Sequence, residues 1–427
     1  MTRLTPLVAA LLAAPAAAAQ TLDLPVETFT LDNGLRLVVA PNHLVPTVAV
    51  GIHYDVGSAI EVPGRTGFAH LFEHMMFEGT ANVGKSEHFA IVEEAGGVCN
   101  GATGPDHTEY WQSLPRNALE LALWLEADRM ANLDLNPENF ENQRAAVQQE
   151  RQENIDNQPY YPSFLRINEL AYGDYFPYAH PVIGVEADLE TMPFDETQEF
   201  FRTHYVPSNA VLVVAGDVEP AEARALTERY FGAIPAGEPP PFVLPPFAPP
   251  TGERRETMVD PLAPLPAFHL AWNVPPYRSP ESYALDLLAI WLTDGETAPA
   301  YRDLVKERAL LQALSMGLDQ HRGPDLFSVF AVVAPGHDGP EARAALDEWL
   351  ARVVEDGIPE AALARAKNRR RARFLESVRS NLRLANELAR TWLYHGDPRL
   401  LLGELDRWNA VTVDDVRNAA ATWLRPD

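Results

Sequence analysis

One residue in 427 is cysteine. With Cys99 as the single thiol, no intrachain disulfide can form. Cys99 itself reads as a small packing residue rather than a nucleophile. Long apolar runs are also missing. The stretch at 4–14 is too short to span a bilayer, and no later segment is long and apolar enough. Basic residues are few beside acidic ones: 34 Lys+Arg against 60 Asp+Glu gives a net charge of −26. So acidic a surface argues against nucleic acid and anionic membranes, and favours solubility and basic ligands. Histidine is scarce too, at 12 residues, which makes a close histidine pair informative.

What is present begins with a leader. Arg3, the apolar run 4–14 and Ala17-Ala18-Ala19 before Gln20 read as an export signal covering 1–19. No cysteine follows the cleavage site, which argues against a lipid anchor there. A disulfide-free exported chain fits the bacterial periplasm, with secretion as the alternative. The remainder is too long for one ordinary core, so two domains or more are expected.

Along the chain, 29–40 (FTLDNGLRLVVA) reads as a hairpin turning at Asp32-Asn33-Gly34, and 47–54 as an alternating strand. Helices are expected at 66–80 and 86–95. Residues 96–113 read as irregular and then β. Further helices are expected at 117–131, from the Asn136-Pro137 cap to about 154, from a Ser163 cap to 171, and at 195–204, leading into the strand 211–216. Proline-dense 238–250 (EPPPFVLPPFAPP) reads as a stiff extended linker. After it come a strand at 267–274, a helix at 283–292, a strand at 327–334 and helices at 341–354 and 359–382. A weak echo relates 194–207 to 412–426, which suggests two copies of one domain. The fold class expected is α+β: two related domains, each a mostly antiparallel sheet packed with helices, joined by a Pro-rich linker.

Residues 66–80 (TGFAHLFEHMMFEGT) carry the chemistry. At helical period Phe68, Leu71, Phe72 and Met75 form an apolar face, while His70, Glu73, His74 and Phe77 form the other. Thr66 is the expected cap and Gly79 the expected end. Histidines at i and i+4 can reach one metal ion at about 2.0–2.1 Å. A carboxylate between them that is not a ligand can take a proton from a metal-bound water. The order H-x-x-E-H inverts the common H-E-x-x-H zinc helix. A third ligand is required, and Glu150, in VQQERQEN on a face shared with Gln143 and Val147, is one candidate among many acids.

The inverted motif with a glutamate 76 positions after His74 resembles the pitrilysin/insulinase family of zinc peptidases, mitochondrial processing peptidase among them. NGLRLVV at 33–39, GG-x-x-N at 96–100 and FF-x-x-HY-x-P-x-N at 200–209 extend the likeness over most of the chain, more specifically in the first half. The resemblance implies one Zn2+ held by His70, His74 and Glu150, with Glu73 as general base. It also implies that Asn100 lies on the edge strand that receives substrate peptide, where a turn asparagine is the alternative.

Two places depart from the family pattern. Gln143 stands where a glutamate often supports the ligands. Val305 and Gln312 stand where the family carries an Arg/Tyr pair that meets the substrate carbonyl. The domains implied are 20–233, bearing zinc, and 257–427, family-related and lacking its closing strand, with 234–256 as linker. The expected activity is zinc-dependent endopeptidase action on short or unfolded peptides in an enclosed chamber. A second family-related subunit would supply the Arg/Tyr pair, unless Arg302 or Arg308 substitutes and the chain acts alone or as a homodimer. A zinc-retaining processing, binding or structural subunit with little activity of its own is the alternative.

Overall fold

The computed structural model describes residues 24–425. The export signal expected at 1–19 and residues 426 and 427 lie outside the described residues. Among those described, no helix is long and apolar enough to cross a membrane.

Glu27–Thr30 (β1) and Arg36–Pro41 (β2) form the expected hairpin. Its turn closes because the Leu35 N–H donates to Asn33 Oδ1 and Gly34 takes φ +84°. Thr47–Tyr54 (β3), Val98–Thr103 (β4), Thr108–Pro115 (β5) and Ala210–Gly216 (β6) complete a sheet ordered β1-β2-β6-β3-β5-β4. Only the β2–β6 pair is parallel. The glycines of 96–104 disguised β4, since residues expected to be irregular form one arm of the β4–β5 hairpin. All seven residues of β6 are buried, the signature of a strand covered on both faces.

The two covers come from different halves of the chain. On one face Leu37, Val39, Val50, Ile52, Leu212 and Val214 pack with Phe68, Leu71, Phe72 and Met75 of the Phe68–Met75 helix. On the other, Val38, Ala40, Ala49, Val211, Val213 and Ala215 pack with Leu384, Ala385, Leu388 and Ala389 of the Asn381–His395 helix.

The second sheet is built from Ala267–Val274 (β7), Leu311–Leu318 (β8) and Asp325–Val333 (β9). It is antiparallel, ordered β7-β9-β8, with a bulge between Leu311 and Ala313. It receives a helix in return. Tyr161–Tyr172 of the first half lies on it, with Phe164 against His269 and Phe330. Each half thus lends a helix to the other's sheet. The Pro-rich stretch has neither helix nor strand, and its Phe242, Leu244 and Phe247 pack beside Tyr172, Tyr175 and Tyr178.

Several helices differ from the sequence reading. The helix expected at 66–80 spans Phe68–Met75, and Gly79 (φ +109°) lies beyond its end in the following turn. Thr66 does not cap it: its hydroxyl donates to Asp188 and accepts the Val185 N–H. Phe77 is not on the polar face but buried, stacked on Phe89 and edge-on to Tyr110. Ser163 is no cap either, because the helix begins at Tyr161 and the Ser163 hydroxyl donates to Tyr160 O. The single helix expected at 359–382 is two, Glu360–Arg379 and Asn381–His395, since the Ser380 hydroxyl caps a new start by accepting the Arg383 N–H. The helix from Pro137 keeps its Asn136 cap and ends at Arg151 in a wide π-turn over Gln152–Asp156.

Candidate metal centre

The Phe68–Met75 helix is fixed from behind by aromatic side chains. Phe72 stacks on Phe200 and Phe201 and leans on Tyr205, with centroids 5.6, 5.7 and 5.2 Å away. These three belong to the FF-x-x-HY run of the Phe194–His204 helix and the residue after it. The Tyr110 hydroxyl donates to Phe72 O at 3.0 Å. Burying a side chain like Phe72 stabilises by about 2–3 kcal/mol, so the apolar face sets the helix and leaves His70, Glu73 and His74 directed away from the core.

The Pro137–Arg151 helix brings Glu150 to them. Glu150 Oε2 lies 3.2 Å from His74 Nε2 and 3.6 Å from His70 Nε2. Burial first, and then His74, pushes the His70 imidazole down to about 4. For His74 burial acts in the same direction, but the close Glu150 carboxylate outweighs it and raises the ring. The His74 contact holds Glu150 below its ordinary value. The 3.2 Å approach is nonetheless poorly directed as a hydrogen bond, and Glu150 Oε2 stays buried and unpaired. We attribute the mutual shift to charge across a short gap.

Zinc fits this set. Two imidazoles and a carboxylate are its usual donors, and bonds of 2.0–2.1 Å imply a ligand–ligand edge of about 3.3–3.4 Å in a tetrahedron. An unpaired carboxylate oxygen facing two ring nitrogens is a set of lone pairs that lacks a cation.

Glu73 is held apart from the three. β4 passes over it so closely that a Cβ on Gly101 would lie 3.0 Å from Glu73 Cγ, so a larger residue there would press on the Glu73 side chain. Burial raises the Glu73 carboxyl above its ordinary value, and Thr103 partly offsets this. β4 is an edge strand, paired only with β5. Its Asn100 is exposed, one residue before Gly101.

Two supporting residues were not read from the sequence. Glu61 accepts the N–H groups of Gly67 and Ala69, each at 3.0 Å, and its Oε2 lies 3.2 Å from His180 Nε2. This buried carboxylate performs the capping expected of Thr66, at the positive end of the helix dipole. An acid in a Gly/Pro loop gives no periodic signal, so nothing marked it. The other is Glu78. Gln143 Nε2 donates to Glu78 Oε1 at 2.6 Å, and Lys85 Nζ lies 3.0 Å from Glu78 Oε2. Gln143 also raises the His74 ring, and with its amide nitrogen engaged by Glu78 its carbonyl oxygen is the atom left to face that ring. The negative charge missing at 143 therefore stands one bond further out, on Glu78.

Elsewhere, Cys99 is half-buried and its thiol is pushed up to about 11 by burial, which suits packing and not nucleophilic attack. Val305 packs against the second core, and Gln312 is exposed on β8. Arg302 pairs with Glu307 and Arg308 with Asp303, all within the second half.

The insulinase description of peptidase family M16 matches residues 36–172, and the description of the M16 inactive domain matches 191–370. A protein named zinc protease PqqE from Helicobacter pylori is 29% identical over 85% of this chain and 82% of its own length. The mitochondrial-processing peptidase subunit beta of Blastocladiella emersonii is 26% identical over 92% of this chain and 85% of its own. The crystal structure of a protease from Helicobacter pylori superposes with a TM-score of 0.89 at 26% identity, covering 94% of this chain and 97% of that one. Relatives of this kind indicate a zinc-protease-like protein. With both halves matched and the fold shared along nearly the whole described chain, the chain belongs to the pitrilysin/insulinase family, peptidase family M16.

Proposed function

We propose that the chain is a zinc-dependent endopeptidase acting on short or unfolded peptides. One observation carries this reading: Glu150 meets His70 and His74 while Glu73, on the same helix, stays free beside an open strand edge. His70, His74 and Glu150 would hold the ion. Zinc, when bound, supplies a Lewis acid that polarises the substrate carbonyl and acidifies water. Glu73 takes the proton of the attacking water and returns it to the leaving amine nitrogen. Burial raises its carboxyl, which favours taking up that proton. An extended peptide would add to the free edge of β4 through main-chain hydrogen bonds, with Asn100 beside its scissile bond.

The units we assign are a leader 1–19 directing export to the periplasm, a zinc-bearing domain 20–233, a linker 234–256 and a second domain 257–427. We further propose a second, family-related subunit. Val305 and Gln312 offer no cationic or phenolic donor, and one relative in this family is itself named a subunit. A partner's Arg/Tyr pair would support the developing oxyanion, a contribution worth about 10²–10³ in rate.

The test is to assay the purified chain on unstructured peptides after chelation, after zinc is restored, and with a co-expressed family partner. Activity should require zinc and rise with the partner. Zinc-independent hydrolysis would defeat the reading, and full activity from the isolated chain would defeat the heteromer.

A further inference from the structure

A second group of two histidines and a carboxylate lies on the opposite face of the first sheet, beneath the Asn381–His395 helix. His53 on β3 pairs directly with Glu109 on β5, and His107 precedes Glu109 by two residues, on the same side. Glu109 Oε2 is 3.3 Å from His53 Nε2 and 3.4 Å from His107 Nε2. The three donor atoms lie within 4.8 Å of one another. These separations exceed the roughly 2.7–2.9 Å of a charge-assisted hydrogen bond. They match the edge of about 3.3–3.4 Å expected around one tetrahedral ion with 2.0–2.1 Å bonds. They also fall between the two distances found at His70, His74 and Glu150.

The surroundings orient these donors. His107 Nδ1 lies 2.7 Å from the Tyr394 hydroxyl, the outer-shell hydrogen bond that metal-binding imidazoles use to fix their direction. Asn386 Nδ2 donates to Glu109 Oε1 at 3.2 Å, which leaves Asn386 Oδ1 3.4 Å from His53 Nε2. The nearby cations are already engaged: Arg390 with Glu387 and Arg322 with Asp55, each at 2.7 Å. The charge left facing the imidazoles is that of Glu109. Burial keeps His53 neutral down to about 4. At Glu109 burial pushes upward, but His53, His107 and Arg390 outweigh it and hold the carboxyl down to about 2.

We propose that His53, His107 and Glu109, with Asn386 Oδ1 as fourth donor, form a second metal site for zinc or a similar borderline divalent cation. Four protein donors leave no position for water, so the site is structural and not catalytic. Two donors stand on strands of the first sheet, His107 lies just before β5, and the fourth stands on a helix of the second half, so the ion clamps the exchanged helix in place. This inference does not depend on the proposed activity.

The test uses the full chain carrying His70→Ala and His74→Ala, stripped with chelator and reloaded. We expect this variant to retain one equivalent of zinc through gel filtration, to melt higher with zinc than without, and to give a tetrahedral d–d absorption band with Co2+. Adding His107→Gln or Glu109→Gln should abolish all three responses while the circular dichroism stays native. Absence of the Co2+ band in the His70→Ala/His74→Ala chain overturns the proposal without recourse to further variants. Retention of zinc that neither additional substitution changes overturns it as well.

Discussion

The carboxylate of Glu61 lies 3.0 Å from the backbone nitrogen of Ala69, one residue before His70. It accepts the Gly67 N–H as well, and so occupies the start of the helix that presents both histidines. Glu61→Ala would leave two buried N–H groups without acceptors, at a cost of about 1–3 kcal/mol. Chemical denaturation of the metal-free chain should show that loss. Unchanged stability would mean that Glu61 does not hold the helix start.

Glu78 would act on a bound metal through Gln143, which donates to it and raises the His74 ring. Glu78→Gln removes the charge and keeps the shape. Outer-shell changes of this kind typically weaken metal binding about 10–100-fold. The zinc concentration that half-restores peptidase activity to the chelated protein should rise accordingly. An unchanged half-restoring concentration would contradict this role for Glu78.

Two histidines away from both proposed metal sites make stability depend on pH. Burial, and then Arg129, pushes His88 down to about 3, and burial pushes His204 down to about 4. Both are neutral in the folded state near pH 5, whereas the unfolded chain takes up their protons below about 6.5. The stability that depends on keeping them neutral is complete above about pH 6.5 and is lost as pH falls towards 4. The slope is at most about 1.4 kcal/mol per pH unit for each. Denaturation midpoints at pH 7 and pH 5 should fall closer together in His88→Phe than in the wild-type chain. An unaltered difference would show that His88 titrates normally.

The sequence was most informative where one period dominated. The strand reading at 47–54 and 267–274 matches β3 and β7 in extent, and the apolar face at Phe68, Leu71, Phe72 and Met75 is the buried one. The i/i+4 pair His70 and His74 was visible because both members share one helix. Glu150 stands on another helix, and without the family likeness its approach to them could not be distinguished from that of many other acids. Long-range partners left no local trace: Glu61 at the helix start, Glu78 behind Gln143, and Asn386 reaching across from the second half. β8 was missed because its small and polar residues, Ala313, Ser315 and Gly317 among them, interrupt the apolar alternation. The break at Ser380 was missed because helix-forming residues continue on both sides, so only the cap marks it.

The most direct test of the central claim is turnover of an unstructured peptide by Glu73→Gln, with zinc content measured on the same sample. Glu73 is not among the donors that meet Glu150, so the account predicts wild-type zinc content together with a loss of at least about 10²-fold in turnover, the usual contribution of a general base. Wild-type turnover in that variant would contradict it.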